Sequence, residues 1–300
     1  ALVESLPDGS KVYRLGIRSK GAYSLNVYFD DHFRIDNNSK LFAYSLDKKH
    51  VRGPFSHKDT IRNRDFHIHY VKGDVIYFEA DEPNNSGSDN KFVISRVNHD
   101  YRGVFKYLEE DGVGRYGYSG ECNVDINCSE GDDWQIEKQS VCLVSVYDVQ
   151  FGSGALINNT TNDGTPYFLT ADHIYRDDNE GETFTFEEGI QNSDYYFNYE
   201  SPTCDGGDDT SESQIVEGSS LVATWDKDSS GTDFCLVQLD SRPPNSFHPY
   251  YSGWYREDSV PDSAVAIHHP RGDVKKISLS DTIEDNGSHP DLFWEVRWHT

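Results

Sequence analysis

Two short segments of this 300-residue sequence each set an ionisable side chain at the edge of a strongly apolar strand. The first is Gly152-Ser153-Gly154-Ala155-Leu156-Ile157, followed by Tyr167-Phe168-Leu169-Thr170-Ala171-Asp172-His173. The second, Gly231-Thr232-Asp233-Phe234-Cys235-Leu236-Val237-Gln238-Leu239, places Asp233 60 residues after His173. A histidine beside a buried carboxylate is the base-and-orienter half of a nucleophilic triad. The carboxylate selects the imidazole tautomer and stabilises the imidazolium formed when the base takes a proton. His173 and Asp233 are therefore the candidate catalytic residues. The same two residues also fit a half-buried histidine and an aspartate that merely opens a strand, and spacing alone does not choose between these readings.

The elements that must position them are strands. Lys11-Val12-Tyr13-Arg14-Leu15, Phe66-His67-Ile68-His69-Tyr70-Val71 and Val75-Ile76-Tyr77-Phe78-Glu79 alternate apolar and polar residues at period two. Turn clusters such as Asp36-Asn37-Asn38-Ser39 and Glu82-Pro83-Asn84-Asn85-Ser86-Gly87-Ser88-Asp89 separate them. The spacing predicts an all-β, sandwich-like domain over about the first hundred residues. A Gly- and Tyr-rich connector, Asp111 to Gly120, follows, and every cysteine lies beyond it. That change in composition divides the chain into residues 1–115 and 116–300. Strand patterns resume downstream, among them Cys142-Leu143-Val144-Ser145-Val146, Leu221-Val222-Ala223-Thr224-Trp225 and Ala264-Val265-Ala266-Ile267, so the second domain also reads as all-β.

Composition narrows the function classes. The sequence carries 52 acidic against 27 basic side chains, a formal charge of −25. That excess argues against nucleic acid as a partner, because a phosphate backbone needs a basic footprint. No run approaches the roughly 18 consecutive apolar residues of a membrane-spanning helix, so no membrane association is expected. The sequence contains no Met and begins Ala1-Leu2-Val3, as expected of a processed or partly captured product. Five cysteines, an odd count, leave either a free thiol or a bridge whose other half lies elsewhere. Paired cysteines would point to an oxidising compartment.

The His173 segment resembles the catalytic-histidine region of trypsin-like serine peptidases, and specifically of the bacterial lysyl endopeptidase branch. Three other stretches agree in order. Gly120-Glu121-Cys122-Asn123-Val124-Asp125-Ile126-Asn127-Cys128 resembles that branch's mature amino terminus, and Thr232-Asp233-Phe234 its catalytic-aspartate strand. Ser252-Gly253-Trp254 with Ala266-Ile267-His268-His269-Pro270 resembles its second-barrel entry. The resemblance runs from about Gly117 to the end. It implies a chymotrypsin-like double β-barrel with the site between barrels, His173 as general base and Asp233 as its orienter.

The resemblance also implies a Cys128–Cys204 bridge, with Cys142 and Cys235 as core thiols or an extra pair. It puts the partner of Cys122 beyond residue 300. Phe151 and Ile174 stand where the family has bridged cysteines, and two apolar side chains are expected to fill that space. The family's serine, in a Gly-x-Ser-Gly context, is absent. Ser153 lies in the strand before His173, and Ser288 lies in a polar loop with no following Gly. The second barrel is therefore expected to be incomplete, the nucleophile and oxyanion hole to lie past residue 300, and the fragment to be inactive by itself. The expected whole is a secreted, bacterial, monomeric serine endopeptidase precursor. It would cut protein or peptide substrates after Lys or another basic residue, with residues 1–115 as an amino-terminal pro-region. Arg115-Tyr116 precedes the family-like amino terminus, where a self-maturing lysyl enzyme would carry Lys. The alternatives are a non-catalytic, peptidase-like secreted binding protein and an enzyme of the same fold with a Cys nucleophile.

No cofactor is expected. The acidic loops Asp177-Asp178-Asn179-Glu180-Gly181 and Asp205-Gly206-Gly207-Asp208-Asp209 offer oxygen ligands to calcium, but neither has the full loop spacing, and solvated loops are the reading taken. His67 and His69 share a strand face as a metal pair would, yet no third ligand is visible, and a surface pair is expected. His268 and His269 are expected to pack near the cleft rather than ligate.

Overall fold

The computed structural model describes residues 2–30, 32–61, 65–84, 93–101, 119–120, 122–176, 184–204, 214–226, 232–256, 259–285 and 294–299. The connector over 111–118, both acidic loops proposed for calcium, Ser288 and the Asn85-Ser86 turn lie outside them. The chain divides into two units, Ala1–Tyr107 and Leu108–Thr300.

In the first unit the strands are β1 (Leu2–Ser5), β2 (Lys11–Arg18), β3 (Ser24–Phe29), β4 (Lys40–Ser45), β5 (Val51–Phe55), β6 (His67–Lys72), β7 (Val75–Glu82) and β8 (Ile94–Asp100). They form a five-stranded sheet, β1-β2-β7-β4-β5, and a three-stranded sheet, β6-β3-β8. Period-two patterning in β7 sends Ile76, Phe78 and Ala80 inward, where they meet Leu25, Val27, Phe29, Ile68 and Val71 of the other sheet in one core. This is the sandwich the sequence predicts. Strand β3 is buried along its whole length, so its polar residues need internal partners. Ser24 donates to Asp100 at 2.7 Å, and Asn26 donates to the Ile68 carbonyl at 2.9 Å. The expected surface histidine pair is corrected here. His67 is buried and stacks on Tyr28, its register partner in β3, with ring centroids 4.6 Å apart. His69 meets His67 edge-on.

The second unit contains β9 (Val124–Asp125), β10 (Val141–Val146), β11 (Gln150–Ile157), β12 (Tyr167–Ala171), β13 (Ser193–Tyr196), β14 (Ile215–Glu217), β15 (Ser219–Trp225), β16 (Phe234–Leu239), β17 (Ala264–His268), β18 (Lys276–Ser280), β19 (Ile283–Asp285) and β20 (Trp294–Val296). Seven of these form one antiparallel sheet in the order β14-β13-β10-β11-β12-β16-β15. Its two edges, β14 and β15, are consecutive in the chain and separated only by Gly218. One stretch, bent at Gly218, thus supplies both edge strands and curls the sheet in barrel fashion. Gly218 makes the bend at φ +76°, and a Cβ there would lie 2.4 Å from Asp240 Oδ2. Its N–H donates to the Ser193 carbonyl on one side, and its carbonyl accepts from Asp240 N–H on the other. The inside is filled by Cys142, Val144, Leu156, Phe168, Tyr195, Cys235 and Val237, all fully buried or nearly so.

The remaining strands make a three-stranded sheet, β17-β18-β9, and a two-stranded one, β19-β20, which fall short of a second barrel among the described residues. A buried ion network ties this part to the first barrel. Lys138 Nζ donates to Glu200 Oε1 at 2.6 Å, and fully buried Lys275 donates to the Lys138 carbonyl at 2.8 Å, with Glu200 Oε2 3.4 Å away. Cys128 and Cys204 are disulfide-bonded, while Cys142 and Cys235 are separate buried thiols and Cys122 is an exposed one.

Candidate active site

Strand β12 ends at Ala171, and the chain turns at once into a single 3₁₀ turn over Asp172–Tyr175. Strand β16 begins at Phe234, immediately after Asp233, and pairs antiparallel with β12 so that Ala171 lies opposite Phe234. Two strands 60 residues apart thus deliver His173 and Asp233 to the same end of the barrel sheet.

Asp233 holds the 3₁₀ turn at three points. Its carbonyl accepts the Asp172 N–H at 2.9 Å, its Oδ1 accepts the His173 N–H at 3.0 Å, and its Oδ2 lies 2.6 Å from His173 Nδ1. This grip uses a left-handed backbone at Asp233, φ +58°, a region that aspartate enters more readily than most residues. A carboxylate offers only lone pairs, so Nδ1 carries the proton and Nε2 is left as the basic nitrogen. The His173 side chain is 50% exposed, while Asp233 is more covered at 28%. Base, orienter and tautomer therefore stand in the relation that proton abstraction from a hydroxyl requires. Neither a serine nor a pair of oxyanion-hole amides stands with them among the described residues; Ser153 instead accepts the His269 N–H at 2.8 Å.

The neighbouring positions resolve as follows. Ile174 is buried and lies over the bare α-carbon of Gly152, where a Cβ would come within 2.1 Å of its Cδ1, while Phe151 rests against Gly272. Each of the two apolar residues thus packs against glycine backbone. His269 is buried, with Nδ1 donating to the Asp273 carbonyl at 2.9 Å. Burial, reinforced by Lys275, pushes it well below the ordinary histidine range and keeps it neutral. His268 is partly buried, which lowers it too, and its Nε2 is 3.3 Å from Ser278 Oγ. Both are packing residues. Three residues beside the site were not singled out by sequence: Asp172, which lies within the His173 segment, Arg176 and Thr224. Only the Asp172/Arg176 spacing of four could have pointed to a pair.

A barrel-like antiparallel sheet bearing an ordered His–Asp pair at one end fits the framework of a trypsin-like peptidase. Residues 116–300 match the family model described as lysyl endopeptidase, C-terminal domain, and the chain belongs to that family. It is 25% identical over 284 residues to the lysyl endopeptidase of Pseudomonas aeruginosa strain PAO1, a match covering 91% of this chain and 58% of that protein. The chain thus spans little more than half the length of that relative. The crystal structure of Deg5 overlaps 56% of this chain and 71% of its own, at 17% identity and a TM-score of 0.33.

Proposed function

We propose that this chain belongs to a serine endopeptidase in which His173 is the general base and Asp233 its orienting carboxylate. The nucleophilic serine and the oxyanion-hole amides are supplied from outside these 300 residues. The observation that supports this is the three-point hold of Asp233 on the His173 turn, with Nδ1 protonated and Nε2 left as the basic nitrogen. In the reaction, the serine hydroxyl attacks the scissile carbonyl, Nε2 takes its proton, and the imidazolium returns it to the leaving amine.

The preferred residue before the cut is Lys or another basic residue. Charge supports this, because residues 108–300 hold 38 of the 52 acidic side chains but only 10 of the 27 basic ones. A field of that sign draws cationic peptides towards the catalytic unit. The protein acts outside the cell, and residues 1–115 serve as its pro-region. The test is hydrolysis of lysyl, arginyl and neutral chromogenic peptides by the complete protein, its H173A variant and its D233N variant. Cleavage of the basic substrates that disappears in H173A supports the reading. Cleavage that survives in H173A, or a complete protein with no serine-directed activity, would make this a peptidase-shaped binding protein or an enzyme with another nucleophile.

A further inference from the structure

The turn that carries His173 is one helical turn long and cannot hold its own shape, because a lone turn fixes several dihedrals for a single hydrogen bond. Asp233 grips it from one side. On the other side stands a second carboxylate. Asp172, the residue before His173, is fully buried, and nothing in the triad chemistry uses it.

Arg176 engages Asp172 with two nitrogens: Nε donates to Oδ1, and Nη2 donates to Oδ2 at 3.2 Å. This pair links both ends of the turn, at i and i+4. The guanidinium is fixed in its own right. It lies over the Phe186 ring at 4.3 Å, and Nη2 is 3.5 Å from Asp226 Oδ2. The Arg176 carbonyl accepts from Gln150 Nε2 at 2.8 Å.

Thr224 supplies the link to the other half of the pair. Its hydroxyl donates to Asp172 Oδ2 at 2.6 Å and lies 3.0 Å from the Phe234 carbonyl. One hydroxyl on β15 therefore touches the residue before His173 and the residue after Asp233. The hydroxyl's proton goes to Asp172, which ties β15 to the turn beside the β12–β16 ladder.

We propose that Asp172, Arg176 and Thr224 form a charged clasp that positions His173 against Asp233. They are positioning residues, acting on the reaction only through His173, and the proposal rests on the reading of His173 and Asp233 as base and orienter. A buried carboxylate bound by a fork-shaped cation and a hydroxyl is a stiff joint, since each of its bonds is charge-assisted.

The test uses the 300-residue chain with its histidines labelled in nitrogen-15, and follows two signals of His173: its backbone amide and its low-field ring N–H. T224V removes the hydroxyl at constant shape, T224S restores it, and R176M keeps the arginine stem without the charge. D233N, which removes the orienter itself, abolishes the ring signal if the pair is as described. In T224V both His173 signals exchange with water about tenfold faster, the effect of losing one charge-assisted bond, and in R176M, which loses both nitrogens from Asp172, they exchange faster still. T224S stays within twofold of the wild type. E200Q, which destabilises the unit elsewhere, leaves both signals unchanged, so general loosening is told apart from loss of the clasp. In the complete enzyme, T224V lowers kcat about tenfold at unchanged KM and T224S restores it, as expected when the base is misplaced but substrate binding is untouched. If D233N abolishes the ring signal while T224V and R176M leave exchange at the wild-type rate, the clasp is overturned and the catalytic pair stands. If D233N leaves the ring signal in place, the pair itself is wrong and the proposed function falls with it.

Discussion

Replacing Gly152 by Ala presses directly on the turn that carries His173. A Cβ at residue 152 would sit 2.1 Å from Ile174 Cδ1, 2.7 Å from its Cγ1 and 3.3 Å from its Cγ2. Carbon atoms settle about 3.5–4.0 Å apart, so the Ile174 side chain must retreat by well over an ångström. Ile174 is buried and follows His173, so part of that displacement passes into the turn. Overpacking of this kind costs about 1–3 kcal/mol. Truncating the other partner, I174A, removes a buried aliphatic side chain at a cost of about 2–4 kcal/mol. In the double variant the new methyl enters the space that Ile174 vacated, so its cost is no more than that of I174A alone. The coupling, read from urea denaturation of the four proteins, then equals the G152A cost, about 1–3 kcal/mol and favourable. Costs that add to within about 0.5 kcal/mol would refute the reasoning, because non-coupled sites behave that way. His173 exchange rises in G152A and returns towards the wild-type rate in the double variant.

E200A leaves Lys138 and Lys275 buried without their shared carboxylate and destabilises the second unit by about 3–5 kcal/mol, measurable by denaturant titration. The same carboxylate sets an acid limit. Burial alone would raise Glu200, but Lys275 and Lys138 outweigh it and hold the group low. Its contribution is complete above the ordinary glutamate value of about 4.3 and is lost as pH falls through the lower folded-state value. E200Q should therefore flatten the stability loss on acidification, as a pH series of unfolding midpoints would reveal. Reduction of Cys128–Cys204, which closes a loop between residues 76 apart, removes about 4 kcal/mol on the chain-entropy scale, seen as a lowered thermal midpoint in C128A/C204A. Burial pushes the Cys235 thiol up to about 12 and Cys142 higher still. A colorimetric thiol count should accordingly find one reactive group in the native protein, Cys122, and three after non-reducing unfolding.

Much of the fold was legible because it is written at short range. Period-two alternation in β7 reports which side chains face the sandwich core, and that pattern survives into the structure unchanged. The apolar runs at Cys142–Val146 and Phe234–Leu239 likewise announce barrel strands, and the segments around His173 and Asp233 carry recognisable family motifs. His67 shows where this kind of reading stops. The strand was visible, but its burial follows from stacking on Tyr28, a cross-strand neighbour 39 positions away in the chain.

The sequence thus named His173 and Asp233 as candidates, whereas their relation was left to the fold. Spacing left His173 and Asp233 open to a bland reading, and only the pairing of β12 with β16 brings Nδ1 to 2.6 Å from Oδ2. The bend at Gly218 and the triple contact of Asp172, Arg176 and Thr224 belong to the same class. Each joins groups whose sequence separation carries no periodic trace, so local chemistry names the parts and long-range strand register decides which of them meet.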